Sequence, residues 1–121
     1  MELKEGMYVR TKYGIAKIIQ NNFKDENMDE VLIVDRELEF GYLGSCDEHL
    51  CSINHVIKAS YNIIDLIEVG DYVNGCRVHR IANCITIILD NEENISWVKP
   101  SDIKSIVTKE QFESMSYKVG E

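Results

Sequence analysis

Apolar residues occur along this chain in short runs separated by polar stretches. Tyr8-Val9, Ile15-Ala16-Lys17-Ile18, Val31-Leu32-Ile33-Val34, Thr86-Ile87-Ile88-Leu89 and Ile95-Ser96-Trp97-Val98 are rich in Val, Ile and aromatic residues and are bounded by Gly, Asn and Asp. Those features predict short β-strands. Ile95-Ser96-Trp97 alternates as a half-buried strand does. Asp90-Asn91-Glu92-Glu93-Asn94 reads as a polar hairpin loop between strands Cys84–Leu89 and Ile95–Val98. Lys99 to Ile103 reads as one tight turn, because Pro100 fixes φ and Ser101 or Asp102 can bond the local backbone. Ile103–Val107 is then a closing strand. One helix start is visible: Thr108 and Gln111 have capping-box spacing, with Val107 and Phe112 at the flanking apolar positions, which predicts a short helix over about Lys109–Ser114. A similar short helix is expected after Ser60, over Tyr61 to Leu66.

The chain also repeats itself. Glu5-Gly6-Met7-Tyr8-Val9 matches Val69-Gly70-Asp71-Tyr72-Val73 as x-G-x-Y-V. Ile15–Ile18 then aligns with Val78–Ile81, Val31–Asp35 with Thr86–Asp90, and Phe40, Tyr42 and Leu43 with Ile95, Trp97 and Val98. Ile53–Ile57 aligns with Ile103–Val107, the offset falling from 64 to 55 to 50 residues, which places the length differences in loops. The order of strands, hairpin, tight turn and last strand resembles an SH3-like small barrel, carried by the x-G-x-Y-V openings and by Trp97-Val98-Lys99-Pro100-Ser101-Asp102-Ile103. The expected fold is mostly β: two tandem SH3-like small β-barrel units, 1–60 and 61–121, each followed by a short helix. Units of that size bury a limited fraction of their surface, so they are expected to pack closely through Ile63, Ile64, Leu66 and Ile67. A single β-sandwich built from both halves is the alternative.

Composition narrows the function more than the fold. Of 121 residues, 45% are apolar, enough for a buried core, and a single proline with seven glycines leaves no linker-like stretch between the halves. The net charge is -8, with 13 basic and 21 acidic side chains, and both halves are acidic. Nucleic acid is therefore not an expected partner, because its phosphates would be repelled. No apolar run approaches the length of a membrane span, and the N-terminal residues lack the apolar core of a signal peptide. Cys46, Cys51, Cys76 and Cys84 are accordingly expected as reduced thiols.

Cys, His and acidic residues carry the candidate chemistries. Cys46, His49, Cys51 and His55 fall within ten residues and are the residue types that hold tetrahedral zinc, but their spacing is not a common zinc-module pattern. No metal or other cofactor is expected; a zinc-stapled domain on those four residues is the alternative. Cys46 beside Asp47 and Glu48 lies in a negative surrounding that raises a thiol pKa, the opposite of what a nucleophile needs. The carboxylate pairs Asp25-Glu26, Asp29-Glu30, Glu37-Glu39 and Glu92-Glu93 fall in predicted loops, where solvation keeps the two members alike. No catalytic residue and no enzymatic activity are expected. Small barrels bind ligands in grooves lined by aromatic side chains, for which Tyr13, Tyr42, Trp97 and Tyr117 are available, while Tyr8 and Tyr72 suit cores. Trp97 beside Asp90, Glu92 and Glu93 suggests an apolar wall with a negative rim, suited to a basic partner. The partner-binding set is thus Tyr13, Tyr42, Trp97, Asp90, Glu92 and Glu93.

Two strings resemble small proteins encoded by phages and prophages of Firmicutes: Asn62-Ile63-Ile64-Asp65-Leu66-Ile67-Glu68-Val69-Gly70-Asp71-Tyr72-Val73-Asn74-Gly75, and Asp102-Ile103-Lys104-Ser105-Ile106-Val107-Thr108-Lys109-Glu110-Gln111-Phe112-Glu113. The resemblance covers roughly the C-terminal half and brings no catalytic motif. It implies a bacterial host cytoplasm and an accessory role, such as blocking a host defence or a host enzyme. The expected function is an accessory protein that binds a basic host protein and inhibits or modulates it. The alternatives are a structural part of a phage particle and a small-ligand-binding module. The oligomeric state is left open by the sequence.

Overall fold

A computed structural model describes residues 2–39, 41–44, 48–83, 86–90 and 95–115. The chain divides into two compact units, Met1–Leu66 and Ile67–Glu121, so that 61–66 belong with the first. Both are mostly β.

In the first unit the strands are β1 (Tyr8–Thr11), β2 (Gly14–Lys24), β3 (Glu30–Val34), β4 (His49–Ser52) and β5 (Lys58–Ser60). They form one antiparallel sheet in the order β4-β3-β2-β1-β5. In the second unit β6 (Tyr72–Val73), β7 (Cys76–Asn83), β8 (Thr86–Asp90), β9 (Ile95–Val98) and β10 (Ile106–Val107) are ordered β10-β6-β7-β8-β9, the same topology read from the other edge. Among the described residues the edge strands of a sheet do not pair with each other, so neither sheet is closed by hydrogen bonds into the barrel expected from sequence.

The repeat is visible in individual bonds. Gly6 and Gly70 both take positive φ, +89° and +98°, which glycine adopts without steric penalty. Gly6 N–H donates to Ile18 O at 2.9 Å and Ile18 N–H returns to Met7 O at 2.8 Å; Gly70 donates to Val78 O at 3.0 Å and Val78 returns to Asp71 O at 2.7 Å. Even the side chain at the next position has one job in both: Met7 Sδ accepts from Lys4 N–H at 3.3 Å, and Asp71 Oδ2 from Glu68 N–H at 2.7 Å.

These pairings correct the sequence alignment beyond β1. Tyr8 faces Lys17 as Tyr72 faces Arg77, so Ile18 corresponds to Val78 and not to Ile81. A bulge then interrupts both ladders at the same place, between Ile18 and Gln20 and between Val78 and Arg80. The extra residue turns outward, which leaves Ile19 exposed beside the buried Ile18. Leu50 and Cys51 correspond to Trp97 and Val98, because Ile33 faces Leu50 where Ile88 faces Trp97. Tyr42 and Leu43, which the sequence aligned with Trp97 and Val98, lie instead in the connection between β3 and β4. Ile53–His55 is a 3-10 turn matching Pro100–Asp102, and not a strand. The closing strand of the second unit is Ile106–Val107 alone.

The chain's one α-helix among the described residues is α1 (Lys109–Met115). Its capping box forms as the spacing predicts: Gln111 N–H donates to Thr108 Oγ1 at 3.2 Å, and Thr108 N–H to Gln111 Oε1 at 3.0 Å. Asp71 adds a second cap, accepting from Lys109 N–H at 2.9 Å. The corresponding segment of the first unit, Ile63–Leu66, is a 3-10 turn and not an α-helix. Ile64, Leu66 and Ile67 are buried, while Ile63 is half-buried.

The main core of the first unit lies on one face of its sheet and gathers Val9, Ala16, Ile18, Leu32, Val34, Leu38 and Cys51. β3 is buried on its other face as well, where Val31 and Ile33 meet Leu50 under Phe23 and Tyr42. A strand covered on both sides reads as an unbroken apolar run, as Val31 to Val34 does. The cover on this second face is the long β3–β4 connection. It folds back through Tyr42 N–H to Glu39 O, Leu50 N–H to Tyr42 O and Gly44 N–H to Glu48 O, at 2.8–3.0 Å, and through a bridge between Leu43 and His49.

A candidate binding cleft around Tyr42

β2 and β3 are joined by residues 25–29, with Glu26-Asn27-Met28 at the tip. Asp25 N–H donates to Asp29 O and Met28 N–H to Asp25 O, both at 3.0 Å, which makes a type I turn closed by a left-handed residue. Met28 holds that left-handed position at φ +67°, where Gly or Asn is usual, and is 68% exposed. The Asp25 carboxylate fixes the turn from inside: its Oδ1 accepts from Asn27 N–H at 2.9 Å and Asp29 N–H at 3.0 Å. Its Oδ2 accepts from the Tyr42 hydroxyl at 2.7 Å, tying the hairpin to the β3–β4 connection.

This bond shapes the electrostatics. The Tyr42 hydroxyl and the two loop amides hold Asp25 below the ordinary carboxylate value. Tyr42 is pushed above the ordinary phenol value, first by burial and then by Asp25, with Glu39 and Asp29 adding to it. The pair therefore stays as carboxylate and neutral phenol through the physiological range.

Tyr42 stands between two depressions. The first, of about 570 Å³, has Phe23, Leu43 and Leu50 as apolar wall and Asp25 and Glu26 on its rim, with Lys24 also reaching it. The second, of about 350 Å³, is lined by Asp29, Glu30, Ser52 and Asn54, with Val31 and Ile53, beside the ring. Burying each of Val31, Ile33 and Leu50 is worth about 1.5–3 kcal/mol, so the Tyr42 side of this surface rests on an anchored floor.

The other expected site residues are distributed differently. Tyr13 sits in the two-residue β1–β2 turn with its ring already engaged: Lys12 Nζ lies 5.1 Å from its centroid, and His55 meets it edge-on at 5.7 Å. Asp90 and Trp97 are placed by backbone, at the end of β8 and within β9, while Glu92, Glu93 and Tyr117 lie outside the described residues. The structure thus brings Tyr42 together with Asp25, Glu26, Asp29 and Glu30, carboxylates read from sequence as solvated loop charges. Their signal was the Asp25-x-Asn27-x-Asp29 turn set between Phe23 and Val31, aromatic and apolar on either side.

Among the described residues no three His, Cys, Asp or Glu side chains are placed to hold an ion. Cys51 is fully buried in the core, its thiol pushed up to about 12 by burial and then by Glu39. Glu39, expected in a solvated loop, is 14% exposed; its Oε2 accepts from Ser52 N–H at 2.9 Å, and Oε1 lies 3.0 Å from His55 Nδ1. That last contact lacks hydrogen-bond alignment. His49, half-buried on β4, faces Val34, and Cys46 lies outside the described residues. Cys76 on β7 is half-buried and His79 is exposed at the bulge.

No helix among the described residues is long and apolar enough to cross a membrane. No family model, curated protein or solved structure gives a significant match to the chain.

Proposed function

We propose that this chain is a non-enzymatic binding protein, a phage or prophage accessory protein that engages the basic surface of a host protein in the host cytoplasm and inhibits or modulates it. The observation that carries the reading is the cleft around Tyr42, an apolar floor rimmed by carboxylates on a chain of net charge -8. Long-range attraction would raise the on-rate for a basic partner, and the apolar wall would hold what the charge delivers. In this reading each unit is an open variant of the SH3-like scaffold, which carries binding sites in its loops. The shared strand order, the long bulged second strand and the 3-10 turn before the last strand support that assignment. Asp90, Glu92, Glu93 and Trp97 would supply a second acidic surface in the other unit.

Co-purification from a Gram-positive host lysate at moderate salt tests the proposal. A host protein retained by the natural chain and lost with Glu26→Lys/Asp29→Lys/Glu30→Lys is expected. Equal retention by both proteins, or no host protein above background, contradicts it. Among the described residues β5, β9 and β10 each have a partner strand on one side only, which favours one second reading, a structural part of a phage particle assembled edge to edge. Growth of the oligomer with concentration and capture by virions would support that reading against the first.

A further inference from the structure

We infer that the cleft takes an extended peptide segment with two basic side chains at alternate positions, laid across Tyr42 with one side chain in each depression. The inference rests on the proposed binding of a basic partner and specifies what part of that partner is read. One cation, Lys24, and four carboxylates, Asp25, Glu26, Asp29 and Glu30, line the two depressions together, a net of -3. An anionic or purely apolar segment would leave those carboxylates facing it unpaired. A basic segment pairs them, and the Asp25 carboxylate keeps its charge into mild acid because three donors already hold it.

Tyr42 belongs to the lining of both depressions, so neighbouring same-face side chains of a segment laid over it can enter one each. In an extended strand, side chains on one face recur at every second residue, about 6.5–7 Å apart. The walls differ as well. The first depression is aromatic and aliphatic (Phe23, Leu43, Leu50) with Asp25 and Glu26 at its rim, which suits the weakly hydrated, stacking guanidinium of arginine. The second presents Ser52 and Asn54 beside Asp29 and Glu30, which suits the strongly hydrated ammonium of lysine. Met28, exposed in the loop between Asn27 of the first lining and Asp29 of the second, offers an adaptable apolar contact for the flanking residue.

The test uses the full chain and a fluorescein-labelled peptide of sequence GSRSKSG, followed by fluorescence anisotropy. Saturable binding is expected, weakening about tenfold when Asp29→Asn/Glu30→Gln removes two rim charges, since each exposed pair contributes only a few-fold. The permuted peptide GSSRKSG, with adjacent basic residues, is expected to bind several-fold more weakly. The inference is overturned if the permuted peptide binds as well, if a linear triamine competes as effectively as the peptide, or if the double variant, shown folded by its melting curve, binds unchanged. If a host protein is captured but GSRSKSG neither binds nor competes, the peptide inference fails and the partner reading stands. If the peptide behaves as expected and no host protein is captured, the opposite holds.

Discussion

Truncating Asp71 should cost the second unit most of its stability. The carboxylate is fully buried and accepts from Glu68 N–H at 2.7 Å and Lys109 N–H at 2.9 Å, joining the turn before β6 to the first turn of α1. Hydrogen bonds to a charged acceptor contribute about 1.5–3 kcal/mol each, and the donors left behind are costly to bury unpaired. Asp71→Ala should therefore cost about 3–5 kcal/mol. Against this, a unit of residues 67–121 holds about 3–8 kcal/mol in total at the usual stability per residue. Asp71→Asn, which keeps an acceptor oxygen without the charge, should fall between. Urea denaturation with amide exchange read at β6, β7 and α1 measures the loss. An Asp71→Ala midpoint that moves by less than the equivalent of about 0.5 kcal/mol would refute the role assigned to these bonds.

Four smaller predictions follow from the same contacts. Met28→Gly should stabilise the first unit by about 1 kcal/mol in chemical denaturation, because glycine relieves the positive φ, while Met28→Ala should bring no gain. The Cys51 thiol, at about 12 instead of its ordinary value, carries about a thousandfold less thiolate near pH 8; in a chain with the other three cysteines replaced by serine, thiol reagents should stay silent until denaturant is added. Asp25 is held below its ordinary value, so its contribution to stability is present above the unfolded carboxylate pKa and lost as pH falls through the lower folded one. Tyr42→Phe, which removes the leading cause, should flatten the acid limb of the stability–pH curve below about pH 4, with little change in that pH dependence near neutrality. Thr108→Ala should cost about 1 kcal/mol in urea denaturation through loss of the cap on α1.

Much of the scaffold was legible in the residues. The capping box at Thr108 and Gln111 formed as spaced, and the x-G-x-Y-V openings proved to be one turn used twice, down to the side-chain acceptor at Met7 and Asp71. Register was less legible, because the first hairpin is longer than its counterpart and bulges shift each second strand by one residue relative to its neighbour. Apolar runs look alike under such shifts, so Ile18 could be set against Ile81 when it corresponds to Val78. Ile53-Asn54-His55-Val56-Ile57 was read as a strand because its composition allows either state; its tertiary setting makes it a 3-10 turn before β5.

The cleft was harder to see. Tyr42 is an expected binding aromatic, but Asp25 and Glu26, which share its depression, lie 16 or more residues away and come close only because the β3–β4 connection folds back on β3. Loop carboxylates carry no local sign of what will pack beside them, and Glu39 shows the same difficulty from inside the core. Tyr13, chosen on the same grounds as Tyr42, instead packs with its neighbours Lys12 and His55.

An amide chemical-shift map of the full chain titrated with the dibasic peptide goes most directly to the question of whether the acidic cleft is the working surface. Perturbations concentrated at residues 23–30, 41–44 and 50–54, and fading as salt rises from about 0.05 to 0.5 M, are the predicted result. Shifts confined to the second unit, or a pattern indifferent to salt, would contradict it.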